Sequence, residues 1–147
     1  MTTVSRTVGF IDLKRQYRTI ANDINEGVME VVKSQYFIMG PEVAGLEADM
    51  SRYLGDAKTL GVSSGTDALL LALMACGVGP GDEVITTPFT FFASAGVIAR
   101  LGARPVFVDI EPDTMNLNPD LVEKAATPRT KAVMPVHIFG QAADMTK

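Results

Sequence analysis

From Thr59 onward the chain alternates short β-rich runs with helical stretches, and this alternation constrains its fold more than any other feature. The β-rich runs are Thr59 to Val62, Glu83 to Thr87, Arg104 to Val108 and Lys131 to Val136. Between them, Ala68 to Cys76 and Phe91 to Leu101 read as helices. A third helix opens at Asn118-Pro119-Asp120, with a cap, a proline at its first position and an acid in its first turn, and stops at Thr127-Pro128. Strands alternating with helices of this length imply right-handed crossovers, so the expected fold class is α/β, a mainly parallel sheet with flanking helices. Ligands bind open parallel sheets at the carboxyl ends of the strands. Four junctions are therefore of interest: Ser63 to Asp67, Pro88 to Phe92, Asp109 to Asp113, and His137 to Gln141.

Upstream, residues 1–35 read as a leader and an amphipathic helix, with Ile20, Ile24, Val28, Val31 and Val32 forming one apolar stripe. After Gly40-Pro41 a second stripe, Val43, Leu46, Met50, Tyr53 and Leu54, ends at Gly55 as a C-cap. The expected organisation is residues 1–35 followed by a domain over 36–147. With 47% hydrophobic and 20% charged residues the composition is globular. A net charge of -4 with no Lys/Arg run excludes a nucleic-acid footprint. The single cysteine, Cys76, excludes an internal disulfide and a Cys-rich zinc site, and no metal site is expected. Neither a signal peptide nor an apolar run of membrane-spanning length is visible, which makes the expected location cytoplasmic.

Ser63-Ser64-Gly65-Thr66-Asp67 follows a strand and opens a helix. Free N–H groups of a first turn, a glycine that admits close approach and a Thr hydroxyl can hold a phosphate. Ser, Thr and Asp are equally the ordinary residues of a helix cap. The glycines of Gly77-Val78-Gly79-Pro80-Gly81-Asp82 follow a helix and precede a strand, so they are a turn and not a dinucleotide fingerprint. Pro88-Phe89-Thr90-Phe91-Phe92 places three aromatics past a strand. Such rings are usually core, although one facing a ligand would offer a flat apolar plate. His137, the only histidine, assembles no Ser–His–Asp or metal constellation. Asp109, Glu111 and Asp113 could bind a cation, but three acids there read first as a solvated turn before Asn116.

Five segments together resemble the sugar aminotransferases of the DegT/DnrJ/EryC1/StrS family. They are Gly40-Pro41-Glu42-Val43, Ser63 to Leu69, Gly79 to Ile85, Pro88 to Phe91, and Pro135-Val136-His137-Ile138-Phe139-Gly140-Gln141, and they occur in family order. The resemblance implies the N-terminal part of an aspartate-aminotransferase-like (fold type I) large domain binding pyridoxal 5'-phosphate. Gly65, Thr66 and Asp67 would hold the phosphate through backbone N–H groups and the Thr66 hydroxyl, and Phe91 would stack on the pyridine ring. His137 and Gln141 would lie near the mouth of the site. It further implies a homodimer moving an amino group from an amino acid, usually glutamate, to a nucleotide-linked keto-sugar.

In the family, the acid paired with the pyridine nitrogen and the Schiff-base lysine come after the His-x-x-Gly-Gln segment. None of Lys14, Lys33, Lys58, Lys124, Lys131 and Lys147 stands in that lysine's context. The chain is thus expected to be an incomplete first part of the domain, with no catalytic residue of its own. A family dehydratase, in which a histidine replaces the lysine, and a non-catalytic binding or assembly subunit are the alternative readings. The resemblance further implies that the run from Thr59 to Val62 is an edge strand whose neighbour comes from a later segment of the family's large domain. Here it is therefore expected to sit apart from the other three, its backbone unpaired. The chain alone is then expected to be poorly stable or held by a partner copy.

Overall fold

The computed structural model describes residues 9–147. The expected leader lies, as far as Val8, outside the described residues. By contact the chain forms two compact units, Met1–Gly61 and Val62–Lys147.

The first unit is helical. α1 (Leu13–Ser34) is capped by the Asp12 side chain, which accepts from the Arg15 N–H, and ends at Gln35 in the left-handed region. It buries none of its residues: of the expected stripe, Ile20, Ile24, Val28 and Val32 stay exposed and Val31 is partly covered. α2 (Pro41–Tyr53) starts on Gly40 with proline at its first turn, and left-handed Gly55 follows its end. The expected strand at Thr59 to Val62 is not formed. That segment has no strand neighbour and is held by α2 instead, the Thr59 hydroxyl donating to the Glu47 carbonyl and the Gly61 N–H to the Glu47 carboxylate at 2.7 Å. This pinning explains why the division by contact falls at Gly61, later than residues 35/36.

The second unit contains the sheet. α3 (Gly65–Ala75) precedes β1 (Glu83–Thr86), α4 (Ala93–Arg100), β2 (Arg104–Phe107), α5 (Pro119–Ala125) and β3 (Thr130–Val133). The strand order is β2-β1-β3, parallel throughout, as the alternation predicts. Side chains of a strand alternate between faces, and central β1 feeds two cores. Val84 packs with Leu73, Val97, Ile98 and Met134, while Ile85 packs with Val108 and Leu117 and the α5 residues Leu121, Val122 and Ala125. Helices thus cover both faces.

At the amino end of the strands Glu83 is 1% exposed. It accepts from Arg104 (2.7 Å), from Arg129 through Nε and Nη2 (2.9 and 2.6 Å) and from the Thr127 hydroxyl (2.7 Å). One carboxylate therefore joins residues from both crossovers. Beside it, the β1–β3 register shifts between Glu83 and Val84.

Candidate functional site

At the opening of α3, Ser64 is the N-cap, its Oγ accepting from the Asp67 N–H at 3.1 Å. The Asp67 carboxylate accepts in turn from the Ser64 hydroxyl at 3.0 Å and from the Ser63 hydroxyl. These two bonds, Ser63 first, hold the Asp67 carboxyl below its ordinary range. The Ala68 N–H goes to the Ser64 carbonyl. The N–H groups of Gly65 and Thr66 have no partner among the described residues, as expected for the first positions of a helix. A Cβ on Gly65 would meet nothing within 4 Å. The motif caps the helix, and it leaves two N–H donors and the Thr66 hydroxyl open. Asp67 sits with them, but its own N–H is already spent on Ser64.

The second junction follows β1. The Thr87 hydroxyl accepts from the Phe89 N–H (3.1 Å), the Thr90 N–H donates to the Pro88 carbonyl (3.1 Å), and the Thr90 and Ser94 hydroxyls pair at 3.0 Å. With Ser94 buried, these bonds fasten the loop to the start of α4. The result is that Phe91 and Phe92 are both presented outward, 78% and 81% exposed, where rings at a strand end are ordinarily core.

Thr66 and Phe91 line one cavity of about 410 Å³, together with Phe92, Gly96, Val97 and Arg100. Two junctions separate in the sequence thus meet at one cavity, as the family resemblance implied for Thr66 and Phe91. Phe92, Gly96 and Arg100 were missed. A usable signal was there: Gly96 stands four residues after Phe92, one helical turn on, and a Cβ on Gly96 would lie 2.9 Å from the Phe92 ring. The glycine lets that ring lie along α4.

The other candidates lie elsewhere. His137 and Gln141 are in the loop after β3 and do not line this cavity. Asp109, Glu111 and Asp113 occupy a turn closed by the Ile110–Leu117 bridge, with Glu111 accepting from the Thr114 hydroxyl. Among the described residues no three His, Cys, Asp or Glu side chains converge on a metal position, and no helix is long and apolar enough to cross a membrane. Gly77 to Asp82 is the expected turn, its Gly79 N–H donating to the Asp82 carboxylate. A larger cavity of about 640 Å³ between α5 and residues 143–147 holds none of the candidate residues.

The sequence model of the DegT/DnrJ/EryC1/StrS aminotransferase family matches residues 18–147. This chain belongs to the DegT/DnrJ/EryC1/StrS aminotransferase family. It is 53% identical, over 94% of its length, to the pleiotropic regulatory protein of Geobacillus stearothermophilus, of which it covers 37%. It is 50% identical, over 93% of its length, to the UDP-2-acetamido-2-deoxy-3-oxo-D-glucuronate aminotransferase of Pseudomonas aeruginosa, covering 38% of that protein. The solved structure of NtdA from Bacillus subtilis with bound cofactor PMP superimposes with a TM-score of 0.89 at 36% identity, over 97% of this chain and 34% of that one. The chain thus spans little more than a third of the DegT/DnrJ/EryC1/StrS proteins it matches. Its three strands and flanking helices are the N-terminal portion of the aminotransferase fold.

Proposed function

We propose that this chain is the cofactor-cradling segment of a pyridoxal-phosphate-dependent aminotransferase that transfers an amino group from an amino acid, glutamate, to a nucleotide-linked keto-sugar. The enzyme acts as a cytoplasmic homodimer. The observation that carries the reading is the shared cavity: Thr66 at the start of α3 and Phe91 before α4, with the Gly65 and Thr66 N–H groups open. Two N–H donors and a hydroxyl at a helix start suit a phosphate, and an apolar wall ending in an exposed aromatic suits a planar ring. The residues present therefore fit pyridoxal phosphate. The sugar nucleotide is supported by the activity named for the Pseudomonas relative, and the cofactor by the PMP in NtdA.

When bound, pyridoxal phosphate supplies the electron sink that amino-group transfer requires. Gly65 and Thr66 would hold its phosphate through their N–H groups and the Thr66 hydroxyl. Asp67 keeps the first turn formed by engaging both serines. Phe91 would lie against the ring, fixing its plane and excluding water from that face. No lysine lines the cavity, and we assign this chain no Schiff-base lysine. Equilibrium titration of the chain with pyridoxal phosphate tests the reading. Saturable one-to-one binding displaced by inorganic phosphate is expected, and its absence overturns the assignment. A visible absorbance band removed by borohydride would instead show that a lysine of this chain reacts.

A further inference from the structure

The loop after β3 is tied down by a device that stands outside both the strands and the lining of the Thr66–Phe91 cavity. Asn116 is 2% exposed and spends its whole side chain on that loop. Its Nδ2 donates to the carbonyls of Gln141 (3.2 Å) and Ala142 (3.0 Å), and its Oδ1 accepts from the Ile138 N–H (3.4 Å). Asn116 is itself held by its neighbours, its N–H donating to the Thr114 hydroxyl and its carbonyl accepting from the Glu111 N–H. At the loop's other side the Ala143 N–H donates to His137 Nδ1 at 2.9 Å. The unprotonated nitrogen is thereby defined as Nδ1.

Between these two fastenings Phe139 stands at φ 53°, in the left-handed region that a bulky residue avoids. Gly140 follows at φ 80°. Backbone held in this region persists only where its surroundings over-determine it, and such places cluster at functional sites. The strained residue has a visible effect: its ring meets Phe89 edge-to-face, centroids 6.1 Å apart at 76°. Phe89 belongs to the same short loop as Phe91. A continuous chain of contacts therefore runs from buried Asn116 through residues 137–143 to the loop that presents Phe91.

We propose that Asn116 and His137 are positioning residues: together they latch the loop 137–143 so that Phe139 braces Phe89 and fixes the ring-stacking side of the pocket. This rests on the reading of that pocket as the cofactor site. The phosphate side, at the start of α3, lies outside the latch. Disturbing the latch is thus expected to weaken binding of the whole cofactor and to spare binding of phosphate alone.

The full chain is compared with His137→Phe, which removes the acceptor, His137→Asn, whose Oδ1 can replace Nδ1, and Asn116→Asp, which loses both donors. Three quantities are read: hydrogen exchange at the Ala143 N–H, the Kd for pyridoxal phosphate, and the Kd for inorganic phosphate from shifts of the Gly65 and Thr66 N–H signals. His137→Phe is expected to speed Ala143 exchange and raise the pyridoxal phosphate Kd, each about fivefold, the worth of one hydrogen bond. Inorganic phosphate binding is expected to be unchanged, and His137→Asn to recover both losses. Asn116→Asp is expected to act as His137→Phe does, and the exposed His137 pair keeps the test decisive where that buried change unfolds the protein.

Unchanged Ala143 exchange in His137→Phe, an unchanged pyridoxal phosphate Kd, or parallel weakening of both ligands each overturns the proposal. Failure of the unsubstituted chain to bind pyridoxal phosphate overturns the cofactor reading itself, and with it the purpose assigned to the latch.

Discussion

Gly65 and Glu83 mark the two extremes of what single residues in this chain disclose. Gly65 announces itself by its place between a strand-like run and a helix, and the structure leaves open space beside it. Because its φ is not positive, alanine fits there and in a helix is favoured by up to about 1 kcal/mol. Gly65→Ala is accordingly expected to raise the denaturation midpoint slightly while weakening pyridoxal phosphate several-fold, since under the proposed function the added methyl would stand where the phosphate approaches. Unaltered affinity would remove Gly65 from the ligand's side. Glu83 announces nothing, because its partners Arg104 and Arg129 lie 21 and 46 positions away and only the folded sheet assembles them. The Thr127 hydroxyl foremost, then Arg104 and Arg129, bring its carboxyl from an ordinary 4.5 down to about 2. A depressed folded value means a contribution complete above 4.5 and lost as pH falls from there through about 2. The gap in thermal midpoint between the unsubstituted chain and Glu83→Gln should therefore be wide at neutral pH and close under acid. A gap indifferent to pH would contradict the clamp.

Among elements, helices were legible where their ends carry chemistry. Asn118, Ser64 and Pro41 stand at or beside starts that match the sequence signals within a few residues. The strand at Thr59 to Val62 was misread because a short apolar run states only a preference for extended backbone. Whether it becomes a strand depends on a neighbour, and here Glu47 of α2 takes up a donor from that backbone. The Phe91 side of the cavity was equally out of reach, since aromatic composition does not say which rings meet Thr66 at one cavity. Family resemblance, and not periodicity, singled out Phe91. The cap of α3 offers a direct test at this scale. Ser64→Ala removes the acceptor for the Asp67 N–H and a donor to its carboxylate, so it should cost about 1 kcal/mol in chemical denaturation. The Asp67 carboxyl should then titrate higher, readable by NMR. An unshifted Asp67 would deny the reciprocal bonds.

For the molecule, the parallel α/β plan was readable from alternation alone, whereas the strand order β2-β1-β3 was not, because spacing is silent about which side of β1 the third strand joins. The α1 stripe raises the question of cover. No residue of α1 is buried, and Ile24 and Val28 are each about half exposed. An amphipathic helix draws most of its stability from packing that face, so the chain alone is expected to associate. Its unfolding midpoint should rise with protein concentration. A monomer whose midpoint ignores concentration would refute this. The Glu83 clamp also has a consequence for the order of events in folding. Reaching Arg104 closes a loop less than half as long as reaching Arg129, an entropic difference of about 0.7 kcal/mol favouring β2 first. The carboxylate can be fully satisfied only once β3 has arrived, so it acts late. Glu83→Gln should then leave the refolding rate nearly untouched and hasten unfolding, making this buried acid a determinant of how long the folded sheet lasts once made.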